Sequence, residues 1–383
     1  MGFVLASMLS CTNDAPEMEQ TDEAGRIYLS AGIGEVVSSR TPYELTAPTT
    51  EHPLNVSVWA STTSGVFQHI TGKNGSDGTV AIHTQAHFQS GTPQLLGEAI
   101  YPKEPTEGAQ PAPVYFVGFH PQSSTEQPWS MTNDNQSATF TFTGKEDVMF
   151  APQISGTYNT DFDASPQFNF YHLLTWLRIE MVADKDEDGI INKEAIAEAW
   201  GKITSLTIKS NNQVTVKSLG QTYADANETK NELVKNLTFG GDVTDMNFYH
   251  TGSDNQFLKD AESYAIPTTL TEVAYVMCAP VQGAYQHTVD GMDVKKPEYT
   301  LHLTTEKREL DIPIDLKIAD DDDEPDSYFT GNTRGHQFKI LLNFKMGNVI
   351  SVSAEISLGA NADWYTHGTG TGDIKEDHIK ENR

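Results

Sequence analysis

The run of oxygen-bearing side chains at residues 184–192 has the spacing of a cation site. Its sequence, Asp-Lys-Asp-Glu-Asp-Gly-Ile-Ile-Asn, alternates oxygen ligands and places glycine sixth, as in the first half of a calcium loop. A complete loop has a glutamate at the twelfth position, where Ala195 stands, so Glu194 or Glu198 would have to replace it. The alternative is an exposed acidic linker that contains a turn. The candidate ligands of a structural Ca2+ are Asp184, Asp186, Asp188 and Asn192.

Motifs for catalysis are missing from the sequence. His83 and His87 have the spacing of two zinc ligands on a helix, but their surroundings predict an extended chain. In a strand the two residues would stand about 13 Å apart, too far to share a metal. There is also no Gly-rich phosphate loop and no nucleophile elbow. We therefore predict that the protein is not an enzyme and needs no cofactor beyond the candidate Ca2+.

The sequence around each large or reactive side chain predicts whether that side chain lies in the core or on the surface. Trp59 and Trp176 lie in predicted strands, so we expect both in the core. Trp129 follows a polar stretch and is predicted to be the exposed tryptophan, available as a platform for a sugar. His172 lies in an apolar run and is predicted to be a hydrogen-bonded core histidine. Cys278 lies in a second apolar run and is predicted to be a small core residue.

The first cysteine lies in a different context. Residues 3–9 form an apolar stretch that is too short to span a bilayer and resembles the end of a signal peptide. Residues 8–11, Met-Leu-Ser-Cys, resemble a lipobox, so we predict that Cys11 is lipidated. The prediction is a signal peptide over residues 1–10, without the usual basic start, and a lipidated acidic tether over residues 11–26. The alternative is a disordered N-terminus with an incidental cysteine.

The net charge limits the partners of the protein. The chain has 53 acidic and 25 basic residues among 383, which gives a formal charge of −28. Binding to phosphate backbones depends on Lys and Arg displacing counterions, so nucleic acid is excluded as a partner. A peripheral grip on anionic lipid is disfavoured for the same reason.

Short apolar runs separated by clusters of Gly, Pro, Asn, Asp and Ser predict an all-β protein with little helix. The longest apolar run in the first half of the chain, residues 170–181, is predicted to be one strand, and residues 193–200 give the one good helical pattern. We predict two tandem transthyretin-like or Ig-like β-sandwich domains of about seven strands each. They would cover residues 27–184 and 185–383, with the polar break between them.

Two strands at opposite ends of the chain have one clearly apolar face. The first has its apolar residues at every second position, namely Ile27, Leu29, Ala31 and Ile33. The last long strand has the same alternation at Ile350, Val352, Ala354 and Ile356. Alternation with period two indicates that one face of each strand is buried in a sheet.

Several patterns together resemble the fimbrillin family, the subunits of type V pili. The first is an alternating strand followed by Ser-Ser-Arg-Thr at residues 38–41. The second is Phe-Tyr-His-Leu-Leu-Thr-Trp-Leu-Arg at residues 170–178, similar to the F-x-H-L-L-T-x-L-R strand of that family. The third is the final hairpin from Gly335, followed by Trp364 and the Gly-rich residues 368–374. The matches extend over essentially the whole chain.

The resemblance implies a processing step. In fimbrillins a surface protease cuts at an arginine after the first strand, which here corresponds to the bond between Arg40 and Thr41. The cut would release residues 11–40, with the lipid anchor and the first strand together. Arg26 is a second possible site, but cleavage there would leave the strand in place. The alternative is that Arg40 is an ordinary polar residue at the end of a strand.

The resemblance also implies the partners. These are other pilus subunits, the processing protease, a ligand on another surface, and the outer membrane through the lipid anchor; the location is a fimbrium on the cell surface. Residues after Trp364 are too polar to fill a groove. The candidate donor strand is therefore the segment that contains Ile350, Val352, Ala354 and Ile356.

Two other functions are compatible with the sequence. The first is a monomeric surface lipoprotein that binds glycans. The second is a secreted β-sandwich hydrolase, because a pair of catalytic carboxylates cannot be recognised among 53 acidic residues.

Overall fold

The computed structural model has the all-β sandwich fold that the sequence predicts. No helix in the described part of the chain has both the length and the apolar composition to cross a bilayer. The structure describes residues 26–33, 48–50, 53–67, 82–89, 92–101, 108–132, 136–185, 188–223, 232–251, 255–259, 262–281, 299–314, 333–346, 350–356, 369–373 and 379–381.

Twenty strands are present in these ranges, with the α-helix α1 (Lys193–Trp200), a short helical stretch at residues 232–236 and a 3-10 turn at Phe162–Ala164. The strands of the first half are β1 (Arg26–Ile33), β2 (Leu54–Ser61), β3 (Ile82–Phe88), β4 (Gln94–Ile100), β5 (Val114–His120), β6 (Ser130–Met131), β7 (Ala138–Thr141), β8 (Met149–Gly156), β9 (Gln167–His172) and β10 (Thr175–Ala183). Those of the second half are β11 (Ile203–Val216), β12 (Leu237–Asn247), β13 (Tyr249–His250), β14 (Thr271–Cys278), β15 (Tyr299–Thr305), β16 (Arg308–Ile314), β17 (Gln337–Phe344), β18 (Ile350–Ile356), β19 (Thr369–Asp373) and β20 (Ile379–Glu381).

The first sheet contains seven strands in the order β3-β2-β5-β8-β9-β1-β4. The two ends of this order, β3 and β4, also approach each other, so the sheet curls around its inner face. That face forms a core of its own, to which β1, β2, β4, β5, β8 and β9 all contribute buried apolar residues. The alternation of apolar residues along β1 and β2 thus corresponds to burial against this core.

The second and third sheets form most of the larger core. Their strand orders are β13-β14-β10-β17-β18-β19 and β20-β16-β15-β11-β7-β6, with β12 paired to β11 outside the main path. Strand pairing crosses residue 184, because β10 pairs with β14 and β17, and β7 pairs with β11. The division into domains at residues 27–184 and 185–383 stays a prediction.

The predicted helix is confirmed with the expected bounds. Asn192 is its N-cap, with Oδ1 accepting a hydrogen bond of 2.9 Å from the backbone N–H of Ala195. The helix buries Ile196 and Trp200, and the indole Nε1 of Trp200 donates to the carbonyl of Lys345 at 2.9 Å. The helix is thereby fixed against the end of β17.

The longest apolar run differs from its prediction. It forms two strands, β9 and β10, which belong to different sheets. Between them the backbone changes partners: the N–H of Leu173 donates to Val148, and the carbonyl of Leu174 accepts from Gly335. Residues 170–177, from the end of β9 to the start of β10, are buried without interruption, so periodicity could not reveal the break.

Candidate functional site

The candidate site is the leading strand β1 and the two strands that hold it. Residues Arg26, Tyr28 and Leu29 pair antiparallel with β4, with a register irregularity between Arg26 and Tyr28. Residues 30–33 pair in parallel with residues 167–170 of β9. The first half of β1 is therefore hydrogen-bonded to β4, and its second half is hydrogen-bonded to β9.

The apolar residues predicted on one face of β1 are buried. Ile27, Leu29 and Ala31 have no exposed surface, and Ile33 is 6% exposed. The first three belong to the core inside the first sheet. Burying a large aliphatic side chain contributes about 1.5–3 kcal/mol, so this face contributes several kcal/mol to keeping β1 in place.

Aromatic rings form the surface next to the second half of β1. Ala31 and Ile33 stand in register with Phe168 and Phe170, whose ring centroids are 5.7 Å apart. Gly118 of β5 makes room for one of these rings, because a Cβ there would lie 2.7 Å from Cζ of Phe170. Ala31, which stands in register with Phe168, has the smallest side chain on the apolar face of β1.

β4 depends on β1 for its pairing. Within the described ranges, β1 is the strand to which β4 is hydrogen-bonded. Leu96 on β4 is buried in the core inside the first sheet, and so is Tyr101 just beyond it. Burial raises the pKa of the Tyr101 hydroxyl to about 12. Loss of β1 would leave both β4 and the first half of β9 with unpaired backbone groups.

The residues predicted for lipidation and for cleavage precede or follow β1 in the sequence. Cys11, Arg40 and Thr41 lie outside the described residues. Their roles stay predictions.

The candidate donor strand lies in a different sheet from β1. Ile350, Val352, Ala354 and Ile356 belong to β18, which pairs antiparallel with β17 along its whole length. On its other side β18 pairs with β19. The structure thus places the strand predicted to leave and the strand predicted to replace it in separate sheets.

The candidate calcium ligands are in part used for other contacts. Asp184 Oδ1 accepts a hydrogen bond from the N–H of Lys185, and Asn192 caps α1. Asp188 is exposed, and Asp186 lies outside the described residues. Among the residues that can be placed, no three His, Cys, Asp or Glu side chains converge to hold a metal. The Ca2+ site stays a prediction.

The prediction that Trp129 is exposed was wrong. Its side chain is 5% exposed, and its ring lies against Phe119 and Phe140, with centroid distances of 4.6 and 5.0 Å. Its Nε1 donates to the carbonyl of Pro121 at 3.0 Å. The polar loop before it folds back over the core, so it provides no sugar platform. The buried positions predicted for Trp59 and Trp176 are confirmed.

A second group of residues joins the first two sheets. His172 is a buried, hydrogen-bonded histidine as predicted, and its Nδ1 lies 2.8 Å from Oδ1 of buried Asp147. The buried guanidinium of Arg334 donates to the carbonyl of His172. Three residues later, Thr175 Oγ1 donates to the carbonyl of Thr333 at 2.9 Å. The sequence analysis missed Asp147, Arg334 and Thr333, because only the three-dimensional fold brings them to residues 172–175.

The chain was compared with known proteins in three ways. No protein-family model and no curated protein sequence matches it. Among solved structures, a candidate cell adhesion protein of Bacteroides uniformis is 12% identical, over 89% of this chain and 98% of that one, with a TM-score of 0.43. A fimbrial assembly protein of Parabacteroides distasonis is 13% identical, over 86% and 94% of the two chains, with a TM-score of 0.36. Candidate polysaccharide-binding proteins of Bacteroides thetaiotaomicron are 11% identical, over 88% and 99%, with a TM-score of 0.39. At these values no function is inferred from them.

Proposed function

We propose that the protein is a structural subunit of a cell-surface fimbria that mediates adhesion and assembles by strand exchange. It would be exported as a lipoprotein, held in the outer membrane through Cys11, and released by cleavage between Arg40 and Thr41. The observation that supports this most directly is the position of β1, which pairs with β4 along its first half and with β9 along its second half. A leading segment outside any sheet would leave nothing to exchange.

The physical basis is the cost of an empty position in a sheet. Without β1, the backbone groups of β4 and of residues 167–170 lose their partners. The core around Phe168 and Phe170 also becomes accessible to water. An exposed edge of this kind is a template for another strand, and inserting one restores both the hydrogen bonds and the apolar burial.

One cut would link release from the membrane to assembly. Cys11 and β1 both lie before Arg40, so cleavage there separates the anchor and the strand from the rest of the chain. Until the cut, β1 is part of the same chain and occupies its position at high effective concentration. The uncut subunit would therefore stay a monomer.

Mild trypsin treatment of the purified full chain tests this proposal. We expect a product that begins at Thr41 and forms multimers that resist SDS. The R40A variant should stay whole and monomeric, whereas R26A, the matched control, should be cut and should assemble like the unmodified protein. A product cut after Arg40 that stays monomeric at high concentration would refute the proposal.

A second function, a monomeric surface lipoprotein that binds glycans, is favoured by one feature. A pocket of about 430 Å3 lies beside β13, and its mixture of an aromatic ring with amide and charged groups is suited to a sugar. It is lined by Tyr249, His250, Asn255, Gln256, Lys259 and Glu262. Binding of the uncut chain to a glycan array, lost in Y249A and unaffected by R40A, would favour this function over assembly.

A further inference from the structure

A pocket lies at one end of the second sheet, where β10 and β17 run side by side. Its volume is about 420 Å3, and Val182 and Asn343 contribute to its lining. These two residues are register partners in the parallel pair of β10 and β17, so their side chains lie on the same face of the sheet. None of the described residues that line the pocket belongs to β1 or β18.

Two polar groups of the pocket are suited to accept hydrogen bonds from a ligand. Asp184 directly follows β10, and its Oδ1 accepts a hydrogen bond of 2.9 Å from the N–H of Lys185, which leaves Oδ2 for a second donor. Asn343 Oδ1 is buried and has no hydrogen-bond partner in the described part of the chain. A buried acceptor without a donor costs free energy. A donor that enters the pocket would remove this cost once the amide turns towards it.

The other walls of the pocket are largely apolar, and they include Val182, Ala183, Ile191 and Leu270. A ligand that fits therefore has an apolar body and ends in a group that only donates hydrogen bonds. Arginine and lysine side chains are built in this way, with an aliphatic stem and a cationic head. The guanidinium group of arginine can bond two acceptors at once, and it is more weakly hydrated than an ammonium group.

The charge around the pocket also favours a cation. Residues 184–189 contain four acidic side chains and one lysine. Asp184 lines the pocket, and Asp188 is exposed on the same loop. Lys185 lines the pocket as well, but it is exposed, so its ammonium group can extend into water.

The rim of the pocket indicates that the cation belongs to a protein. Three large apolar side chains at this end of the sheet are exposed, namely Ile190 at 63%, Leu270 at 59% and Met346 at 39%. Leu270 lines the pocket itself, Ile190 adjoins Ile191 of the lining, and Met346 follows the end of β17. Exposed apolar groups around a polar centre are typical of a surface that another protein covers. A free small cation would leave this rim in water.

We propose that this pocket is a docking site for an arginine side chain of another protein. The aliphatic stem lies against Val182 and Leu270, and the guanidinium group donates to Asp184 and Asn343. Apolar residues beside the arginine cover the rim. A second copy of this chain is a poor partner, because its 53 acidic and 25 basic residues give it the same excess of negative charge. The site goes beyond the proposed function, since it does not require β1 to leave.

The test uses the uncut full chain in a buffer with EDTA, so that no Ca2+ neutralises Asp184. The probe is a short blocked peptide with one arginine between two leucines and a fluorine label. Broadening of its fluorine NMR signal reports binding even when binding is weak. Matched peptides replace the arginine by lysine, by citrulline or by glutamate.

We expect the arginine peptide to bind most tightly. The citrulline peptide keeps the length of the side chain but lacks the charge, so it should bind at least about tenfold more weakly. The lysine peptide should also bind more weakly, and the glutamate peptide should not bind. Equal binding by the arginine and citrulline peptides, or by the arginine and lysine peptides, would overturn the proposal.

Variants of the chain test the charge, the acceptor and the rim separately. D184N keeps the size of the side chain and should bind the arginine peptide at least about tenfold more weakly. N343L should also bind it more weakly, while its urea midpoint should not fall, because the lost acceptor had no donor. L270S should weaken binding, whereas V243S, which changes a side chain 66% exposed on β12, should not. Unchanged binding by D184N, or a lower midpoint with unchanged binding in N343L, would overturn the assigned contacts.

Two further measurements distinguish other occupants. Sedimentation of the uncut chain at high concentration should show a monomer. A dimer that D184N and L270S both abolish would mean that a second copy fills the pocket, and would overturn the proposed partner. Blocked arginine without the leucines should bind more weakly than the peptide, and equal binding would assign the pocket to a free small cation instead. Neither result affects strand exchange, because β1 stays in place in the uncut chain.

Discussion

His172 Nδ1 lies 2.8 Å from Asp147 Oδ1, and both side chains are buried where the first sheet meets the second. Asp147 lies two residues before the start of β8, and His172 ends β9. Arg334, which donates to the carbonyl of His172, leads into β17. The pair thus lies at a point where three segments distant in sequence meet.

Removing one partner of this pair should destabilise the protein strongly. We expect D147A to lower the free energy of unfolding by about 3–5 kcal/mol, because His172 loses its buried partner. The matched control is D311A, since Asp311 forms the same kind of contact with His302 at 2.8 Å but is 59% exposed. In D311A the free energy of unfolding should fall by less than about 1 kcal/mol. Urea unfolding of the three proteins measures both, and equal losses would contradict the assigned role of burial.

His120 should make stability depend on pH. Burial lowers the pKa of this histidine below its usual 6.5, and nearby His172 adds to the effect. The charge of Asp147 and the hydrogen bond of 2.8 Å to the carbonyl of Asn55 oppose it.

The sign of this dependence follows from proton uptake. Below pH 6.5 the unfolded chain binds a proton at His120 that the folded chain binds only at lower pH, so stability falls as the pH decreases below 6.5. We expect the free energy of unfolding, measured by denaturation across this range, to change less with pH in H120Q than in the unmodified protein. An unchanged slope would exclude His120 as a source of the effect.

Gly118 should be required for the packing of Phe170. A Cβ at this position would lie 2.7 Å from Cζ of Phe170, a distance that forces the ring or the backbone to move. We expect G118A to lower the free energy of unfolding by about 1–3 kcal/mol. G240A is the control, because nothing lies within 4 Å of the Cβ it would add. Similar unfolding midpoints for the two variants would contradict this account.

A substitution that weakens the packing of β1 should allow β4 to open more often, with little effect on the second and third sheets. In L29A we expect faster amide hydrogen exchange along β4, since β1 holds that strand, and little change along β14. The side-chain truncation should cost about 2–5 kcal/mol.

The matched control for this experiment is L310A in β16, which removes an equally buried leucine from the third sheet. It should destabilise the protein without singling out β4. Uniform acceleration of exchange in L29A would mean that β1 opens only when the whole protein unfolds.

The parts of the fold that depend on local sequence could be predicted. Alternation along residues 27–33 gave a strand with its apolar face buried, and the pattern of residues 193–200 gave the helix with its bounds. Both signals come from residues a few positions apart. The parallel pairing of β1 with β9 could not be predicted, because it joins segments more than a hundred residues apart, whose contact no periodicity encodes.

Trp129 and the run at residues 170–181 show the same limit. A polar loop precedes the tryptophan, yet the loop folds over Phe119 and Phe140, which lie in two different sheets. The apolar run divides where the N–H of Leu173 donates to Val148, which precedes the run, and the carbonyl of Leu174 accepts from Gly335, which follows it much later in the chain. In both cases the deciding contacts are made to residues outside the segment itself, and the composition of the segment alone favoured the simpler interpretation.

The mixed pairing of β1 has a consequence for the symmetry of anything built through its position. An insert that must be antiparallel on one side and parallel on the other has only one allowed orientation. The surface that contributes the strand and the surface that receives it are then different patches of the molecule. In a dimer with a two-fold axis both copies use the same patch, so this contact cannot form such a dimer. Repetition of such a contact gives an open, head-to-tail array whose two ends differ chemically.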